Sequence, residues 1–154
     1  MTDRVYHSQV LQLNDITMPR GVVEFAEPTY NPIYEDVDGT FIADAVVVGF
    51  ERVEGSVKIK GVGASIAKRA IKNGASNIII FSSNGTDKGV RVDKEHVITA
   101  QVRAEWTPHK IKERQELTLH YIVSKHRFVD AGDVITDVDI KTGRYLINGE
   151  EFNV

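Results

Sequence analysis

The sequence contains no cysteine, and no apolar run in it approaches the length of a membrane span. The first absence excludes disulfides, thiol catalysis and thiolate metal ligands, and it fits folding in a reducing cytosol. The longest apolar run, residues 78–81, has the length of a strand, so we expect no contact with a membrane. The first residues lack the apolar segment of a secretion signal, so we expect none.

An excess of positive charge is also missing. The chain has 19 lysines and arginines against 22 aspartates and glutamates, a formal charge of −3, and a pI near 5.9. A dedicated nucleic-acid-binding protein would usually be basic, so we expect no specific binding of DNA. The length of 154 residues predicts a single domain, 1–154, and the hydrophobic share of 42% is ordinary for a globular protein.

Apolar and polar residues alternate along the last third of the chain. Runs of this kind at residues 117–124, 133–140 and 144–147 predict three consecutive antiparallel strands, with Gly132 and Gly143 between them. Further strands are predicted at residues 10–13, 21–27, 56–60, 76–83, 90–93 and 97–106. The predicted fold class is therefore mainly β, an antiparallel barrel or sandwich.

One helix is predicted to flank this sheet, at residues 64–73, where apolar and basic residues form opposite stripes and Gly74 follows. Before it, Gly61 and Gly63 imitate a dinucleotide-binding fingerprint, in which glycines let a pyrophosphate approach a helix N-terminus. Ile66 occupies the third glycine position, and no acid ends the next strand. The favoured interpretation is a turn into the helix; a small nucleotide-binding enzyme is the alternative. We expect no enzymatic activity and no cofactor.

Other polar residues give weaker signals. His120 and His126 lie on one predicted strand or at its end, six residues apart, but ligands on one strand face normally lie two apart, so no metal site is predicted. Asp137 and Asp139 do lie two apart, and they predict a solvated or interface face rather than an acid–base pair. Asn84-Gly85 predicts a turn, because this pair adopts positive φ at little cost.

Residues 28–50 combine loop-forming and apolar residues. The prolines and glycine of residues 28–40 predict a surface loop or an extended arm, and residues 42–50 predict an apolar strand, either buried or packed on a neighbour. A long apolar loop is unusual in an isolated monomer, so it either folds back over the core or is covered by a partner subunit. The candidate contact residues are Tyr30, Ile33, Tyr34, Val37, Phe41, Val46, Val48 and Phe50.

The order of these features resembles the tail tube proteins of contractile-tailed bacteriophages and of R-type tailocins. Residues 21–28 resemble the early strand of that family, which ends in a proline before a long loop, here residues 29–40. Residues 55–63 resemble the strand that precedes the family's single helix, and residues 64–75 match that helix in position. The closing strands resemble those of the family at Tyr121, Asp130, Ala131, Gly132, Ile135, Val138, Asp139, Tyr145, Asn148, Gly149 and Glu150.

The resemblance implies a structural subunit. Six copies would form a ring, and rings would stack into a hollow tube that conducts DNA inside a contractile sheath. The implied partners are further copies of the chain, the tail sheath, baseplate and tail-terminator proteins, and passing DNA that is not bound specifically. The implied location is the virion tail, after assembly in the bacterial cytoplasm.

The lumen of such a tube should hold phosphates weakly, because favourable contacts with the DNA backbone come from lysine and arginine. The lumen-facing candidates are Glu24, Glu54, Lys58 and Glu105. The charged connection at residues 107–115 is a second candidate for subunit contact. Two further alternatives stay open: a tube protein of another contractile injection system, such as a type VI Hcp-like ring, and a β-sandwich binding module that uses Tyr30 and Tyr34.

Overall fold

The computed structural model of the chain describes residues 4–18 and 22–152. It is mainly antiparallel β with one α-helix, as the sequence predicts. In chain order the elements are β1 (Arg4–Leu13), β2 (Ile16–Met18), β3 (Val22–Thr29), β4 (Pro32–Val37), β5 (Asp44–Phe50), β6 (Glu54–Lys60), α1 (Ala64–Ile71), a 3-10 turn (Gly74–Ser76), β7 (Asn77–Asp87), β8 (Val90–Trp106), β9 (Glu116–Asp130), β10 (Asp133–Asp139), β11 (Arg144–Ile147) and β12 (Glu150–Phe152).

Ten of the strands form one sheet in the order β12-β11-β10-β9-β8-β7-β1-β2, with β6 beside β9 and β3 beside β6. Strand β9 divides the sheet, because its first half pairs with β6 and its second half with β10. Strand β3 thereby lies across the core from β7, where Phe25 and Phe81 stack with ring centroids 4.2 Å apart. The sheet thus curves into two facing layers, one with β3 and β6 and one with β7 and β1. They form an open barrel, because in the described ranges no pairing joins β3 to β1 or β2.

The core lies between these layers. Successive side chains of a strand point to opposite faces, so alternate residues of each long strand enter the core. Fully burying one such apolar side chain contributes roughly 1.5–3 kcal/mol, so these positions dominate the stability of the fold. The completely buried members include Leu11, Leu13, Val57, Ile59, Ile79, Ile98, Leu117, Leu119 and Tyr121.

Helix α1 covers one side of the barrel next to β8. It buries Ala67 and Ala70 against the core and leaves its basic stripe exposed. The helix ends at Ile71, two residues before the predicted end at residue 73. Gly74 follows with φ of 60°, a conformation that glycine adopts without steric cost.

The two Asn-Gly pairs have different outcomes. Asn148-Gly149 forms a turn, with φ of 51° and 83°. The turn predicted at Asn84-Gly85 is wrong: both residues lie within β7, and the chain turns at Lys88-Gly89. Gly85 is required in the strand because a side chain there would overlap the backbone of Val5 on β1.

The segment β6–α1–β7 does not form a parallel βαβ unit. Strand β6 pairs with β3 and β9, whereas β7 pairs with β1 and β8, and all four pairings are antiparallel. Gly61 turns the chain after β6 with φ of 71°, and its amide donates to Gln115 O at 3.1 Å. Gly63, with an ordinary φ of −88°, is the N-cap of α1. The two glycines therefore form the entry to the helix, as the favoured interpretation of the sequence expects.

Candidate assembly surface

A two-stranded hairpin, residues 32–50, stands apart from the main sheet. Strands β4 and β5 pair with each other, and in the described part of the chain neither pairs with another strand. The surface loop predicted at residues 28–40 is thus corrected, because most of it is strand. Pro32 is compatible with this because it occupies the first position of β4, where a proline is tolerated.

The hairpin exposes apolar side chains on both of its faces. Phe41 has no cover at all, and Tyr34 is 63% exposed. The alternative that residues 42–50 form a buried strand is therefore wrong. Ile42 and Val47 are also exposed, although they were not among the predicted contact residues. Of the predicted contact residues, those exposed are Ile33, Tyr34, Phe41, Val46 and Val48, and those half-buried are Tyr30, Val37 and Phe50.

This exposure has an energetic consequence. An isolated two-stranded ribbon is marginally stable in water, and a contiguous exposed apolar patch usually marks an interaction surface. Each large apolar side chain that a partner covers would contribute up to about 1.5–3 kcal/mol. The hairpin therefore gains stability from being covered.

An apolar groove of about 470 Å³ lies between the base of the hairpin and the end of the main sheet. Val48 and Phe50 form the hairpin wall, and Val138, Tyr145 and Phe152 belong to the opposite wall. Phe50 meets Phe152 edge-on, with ring centroids 5.1 Å apart. One chain thus carries both an apolar protrusion and an apolar cavity.

Charge is divided between the hairpin and the rim of the groove. No lysine or arginine occurs from Gly21 to Glu51. At the groove, the exposed Lys141 and Arg144 stand next in sequence to the lining residues Ile140 and Tyr145. The exposed acids of the hairpin are Glu35, Asp36, Asp38 and Asp44.

The predicted carboxylate face of β10 is a salt-bridged surface. Asp137 Oδ1 accepts from Arg144 Nη2 at 3.0 Å. Asp139 Oδ1 accepts from the backbone amide of Lys141 at 3.2 Å, within the turn that follows the strand. The two aspartates are therefore engaged separately, one by a cation and one by a turn.

The four lumen candidates share one face of the main sheet. Glu24 of β3 lies opposite Lys58 of β6, Lys58 lies opposite Thr118 of β9, and Thr118 lies opposite Glu105 of β8. Glu54 is on the same face of β6, because residues an even number apart in a strand point the same way. The register therefore unites residues that the sequence could only propose one by one.

The acids on this face have basic neighbours. The pairs are Lys58 Nζ with Glu24 Oε2 at 3.8 Å, Arg52 Nη2 with Glu54 Oε1 at 2.6 Å, and His120 Nε2 with Glu105 Oε2 at 2.8 Å. The side chains concerned are mostly well exposed, so these pairs contribute little to stability. They do balance the charge of the face.

A chain of polar side chains runs beneath the base of the hairpin. Tyr30 Oη lies 2.6 Å from His126 Nδ1, and His126 Nε2 lies 2.9 Å from His96 Nδ1. His96 Nε2 lies 3.6 Å from Glu27 Oε1, and Glu27 pairs with Lys94. The two imidazoles are buried and nearly parallel, with centroids 5.2 Å apart.

No sequence pattern brings these two histidines together. They meet because the register of β8 and β9 places His96 opposite Phe128 and Ile98 opposite His126, which makes the histidines diagonal neighbours on the inward face. Both histidines occupy inward positions of strands with alternating residues, and this is the only local pattern that indicates their burial. The register itself depends on a bulge in β9 at Ser124, opposite Thr99 and Ala100, which no local pattern reveals.

The surroundings set the charge states along this chain. Burial, and then the neighbouring His96 ring, lower the pKa of His126 to about 3, although Glu27 acts in the opposite direction. The contact with His96 lowers the pKa of Glu27 most, and Lys94 lowers it further. Burial raises it, and the net result is a pKa of about 2. Burial raises the pKa of Tyr30. At neutral pH Glu27 is therefore charged, and His126 and Tyr30 are neutral.

Within residues 4–18 and 22–152, no group of three or more His, Cys, Asp or Glu side chains is arranged to hold a metal ion. In the same ranges, no helix is long and apolar enough to span a membrane. Comparison with known protein families finds no family model that matches the chain, and no curated protein matches it in sequence.

Proposed function

We propose that the chain is a structural subunit of the tail tube of a contractile-tailed phage or a phage-like particle. Six copies form a ring, and rings stack into a hollow tube inside a contractile sheath and conduct DNA during ejection. The antiparallel β fold with one flanking helix supports this proposal together with the resemblance of the sequence. The subunit works in the virion tail after assembly in the bacterial cytoplasm, beside sheath, baseplate and terminator proteins.

The observation that carries the proposal is the uncovered apolar hairpin beside an apolar groove. Protrusion and cavity are different surfaces of the same chain, so each copy can offer its hairpin to one neighbour and its groove to another, in a head-to-tail contact. Repeated head-to-tail contacts close into rings when the rotation allows it, and otherwise form helical filaments. Phe41 and Ile42, near the tip of the hairpin, are the side chains that would enter the groove of the next copy.

Charge favours a second copy as the occupant of the groove. The hairpin carries only acidic charges, and Lys141 and Arg144 stand at the groove. Complementary charges orient an approaching partner and disfavour others, even where they add little affinity. The tip of the hairpin brings apolar side chains and acids to a mainly apolar groove whose lining includes Arg52 together with Glu51, and beside which Arg144 is paired with Asp137.

Open sheet edges support the same assembly. In the described ranges, β3 pairs only with β6, and β5 pairs only with β4. An uncovered edge presents unpaired amides and carbonyls and promotes uncontrolled aggregation unless it is blocked or covered. Edge-to-edge pairing around a closed ring covers these groups without open-ended growth in the plane of the ring.

The face shared by β3, β6, β9 and β8 is the surface proposed to line the channel. Its acids lie beside its cations, as in the pair of Glu24 and Lys58. Affinity for DNA comes mainly from cations that neutralise phosphates. A face with balanced charge therefore lets DNA pass without holding it.

Electron microscopy of the purified chain, with light scattering over a range of concentrations, tests the proposal. We expect six-membered rings, or stacked tubes with a central channel, as the concentration rises. A chain that stays monomeric at every concentration, with its hairpin uncovered, would contradict the proposal.

A further inference from the structure

The hairpin is attached to the body of the fold through an aromatic joint. The chain leaves β3 at Thr29 and enters β4 at Pro32, so Tyr30 stands between the main sheet and the hairpin. Tyr30 stacks on His126 with centroids 5.9 Å apart, and Phe50, at the other end of the hairpin, meets Tyr30 edge-on at 6.5 Å. Tyr30 also lines the groove. The orientation of Tyr30 therefore influences both the hairpin and the groove.

The carboxylate of Glu27 determines which ring nitrogen of His96 carries the proton. An ionised Glu27 can only accept hydrogen bonds. His96 Nε2 is buried and lacks a hydrogen-bond partner in the described ranges, and it lies 3.6 Å from Glu27 Oε1. A nitrogen lone pair would be repelled by the carboxylate at this distance, whereas an N–H would be attracted. In neutral His96 the proton is therefore on Nε2.

The direction of the remaining bonds follows from this assignment. A neutral imidazole has one donor and one acceptor, so His96 Nδ1 must accept and His126 Nε2 must donate across 2.9 Å. His126 Nδ1 then accepts, and Tyr30 donates its phenolic proton across 2.6 Å. With His96 neutral, the opposite direction would place the lone pair of its Nε2 against the carboxylate of Glu27.

We propose that His96, His126 and Tyr30 form a one-directional hydrogen-bond chain that positions the base of the hairpin, and that the charge of Glu27 beside His96 selects the tautomers of both histidines. The side chain of Glu27 is 42% exposed, so charged groups other than those of the hydrogen-bond chain can approach it. Tyr30, at the other end, lines the groove. A change of charge at Glu27 therefore alters the bonding of a residue in the groove.

The groups packed around the hydrogen-bond chain do not change the direction in which its protons are donated. Lys94 donates to Glu27 and keeps it ionised, and its Nζ lies 4.8 Å from the centroid of the Tyr6 ring. Tyr121, which is also titratable and buried here, donates its hydroxyl proton to Ala26 O at 2.7 Å. The faces of the His96 ring are covered by apolar rings, with Phe128 stacked at 4.1 Å and Phe25 tilted at 5.7 Å.

Long-range ¹H–¹⁵N NMR on the full chain at neutral pH reads the tautomers of His96 and His126 directly. We expect the Nε2–H form of both. Glu27→Gln should populate the Nδ1–H form, because a neutral amide no longer selects the donor, and the hairpin amides should lose hydrogen-exchange protection. Glu95→Gln is the matched control: it removes one negative charge from an exposed position of β8, and it should change neither tautomer nor protection.

Two results would overturn this inference. One is an Nδ1–H tautomer of either histidine in the unmodified chain, a result that needs no variant and decides the matter even if Glu27→Gln does not fold. The other is a Glu27→Gln chain with unchanged tautomers, or with changed tautomers and unchanged hairpin protection. All the contacts of this inference lie within one chain, so failure of ring formation would refute the proposed function and leave this inference intact.

Discussion

Gly55 of β6 lies directly against the side chain of Tyr121 of β9, and the Tyr121 hydroxyl donates a hydrogen bond to Ala26 O of β3 at 2.7 Å. One buried phenol thereby joins three neighbouring strands. Only glycine fits at position 55, because any Cβ there would overlap the phenol. The contact holds together the layer that carries the base of the hairpin and the proposed channel face.

Replacing this glycine should destabilise the fold. Gly55→Ala forces Tyr121 or the backbone of β3 to move, and overpacking of this kind typically lowers the free energy of unfolding by about 1–3 kcal/mol. Gly49→Ala is the control, because nothing lies within 4 Å of the added methyl group. Urea denaturation followed by the fluorescence of the single tryptophan measures both, and equal losses in the two variants would contradict the role of Gly55.

Acid should destabilise the protein through His126. Its pKa is about 3 in the fold and 6.5 in the unfolded chain, so the unfolded chain binds the proton first as the pH falls. Stability is therefore lost between about pH 6.5 and pH 3, by up to about 1.4 kcal/mol per pH unit. Glu27, with a pKa of about 2 against 4.5, adds a further loss as the pH falls below about 4.5.

Urea midpoints measured from pH 7 to pH 4 check this dependence. His126→Phe keeps an aromatic ring at the site and removes the titrating group, so its stability should vary less between pH 6.5 and pH 4.5. A free energy of unfolding that stays constant in the unmodified chain over that window would show that His126 is not shielded from protons as described.

The closing strands were predictable because their signals are local. Alternation and the glycines at positions 132 and 143 define the three strands and the turns between them without reference to the rest of the chain, although β9 runs to Asp130, beyond its predicted end at residue 124. The Asn84-Gly85 turn failed for the opposite reason: the close approach of β1 requires a glycine inside β7, and this tertiary demand outweighs the local turn preference.

The candidate site was predictable only in part. The apolar character of residues 28–50 indicated the candidate contact residues, of which several are exposed. The pairing of β4 with β5 was not indicated, because it places Pro32 at the start of a strand. The polar chain from Glu27 to Tyr30 was not predictable. It depends on the register between β8 and β9 and on the packing of β3 across the sheet, and both are long-range properties.

Charge placed on the hairpin should block assembly without unfolding the chain. Ile33→Asp and Tyr34→Asp alter exposed side chains, so the circular dichroism spectrum and the urea midpoint should stay close to those of the unmodified chain. Ring formation should fail, because an interface would have to bury an unpaired carboxylate.

Val90→Asp is the matched control, because Val90 is 67% exposed and lies outside the hairpin. Electron microscopy and light scattering of the three variants at one concentration give the comparison. Normal tubes from Ile33→Asp and Tyr34→Asp would place the subunit contact elsewhere, with the exposed connection at residues 107–115 as the next surface to test.

The head-to-tail contact between hairpin tip and groove is tested most directly by thiol cross-linking, which the absence of native cysteine makes free of background. The double variant Phe41→Cys, Ile140→Cys carries one exposed thiol at the tip and one at the groove. With a short bifunctional reagent we predict a ladder of covalent oligomers that ends at six copies, whereas Phe41→Cys alone should stop at two. Double-variant products that remain monomeric or stop at dimers would contradict a ring built from this contact.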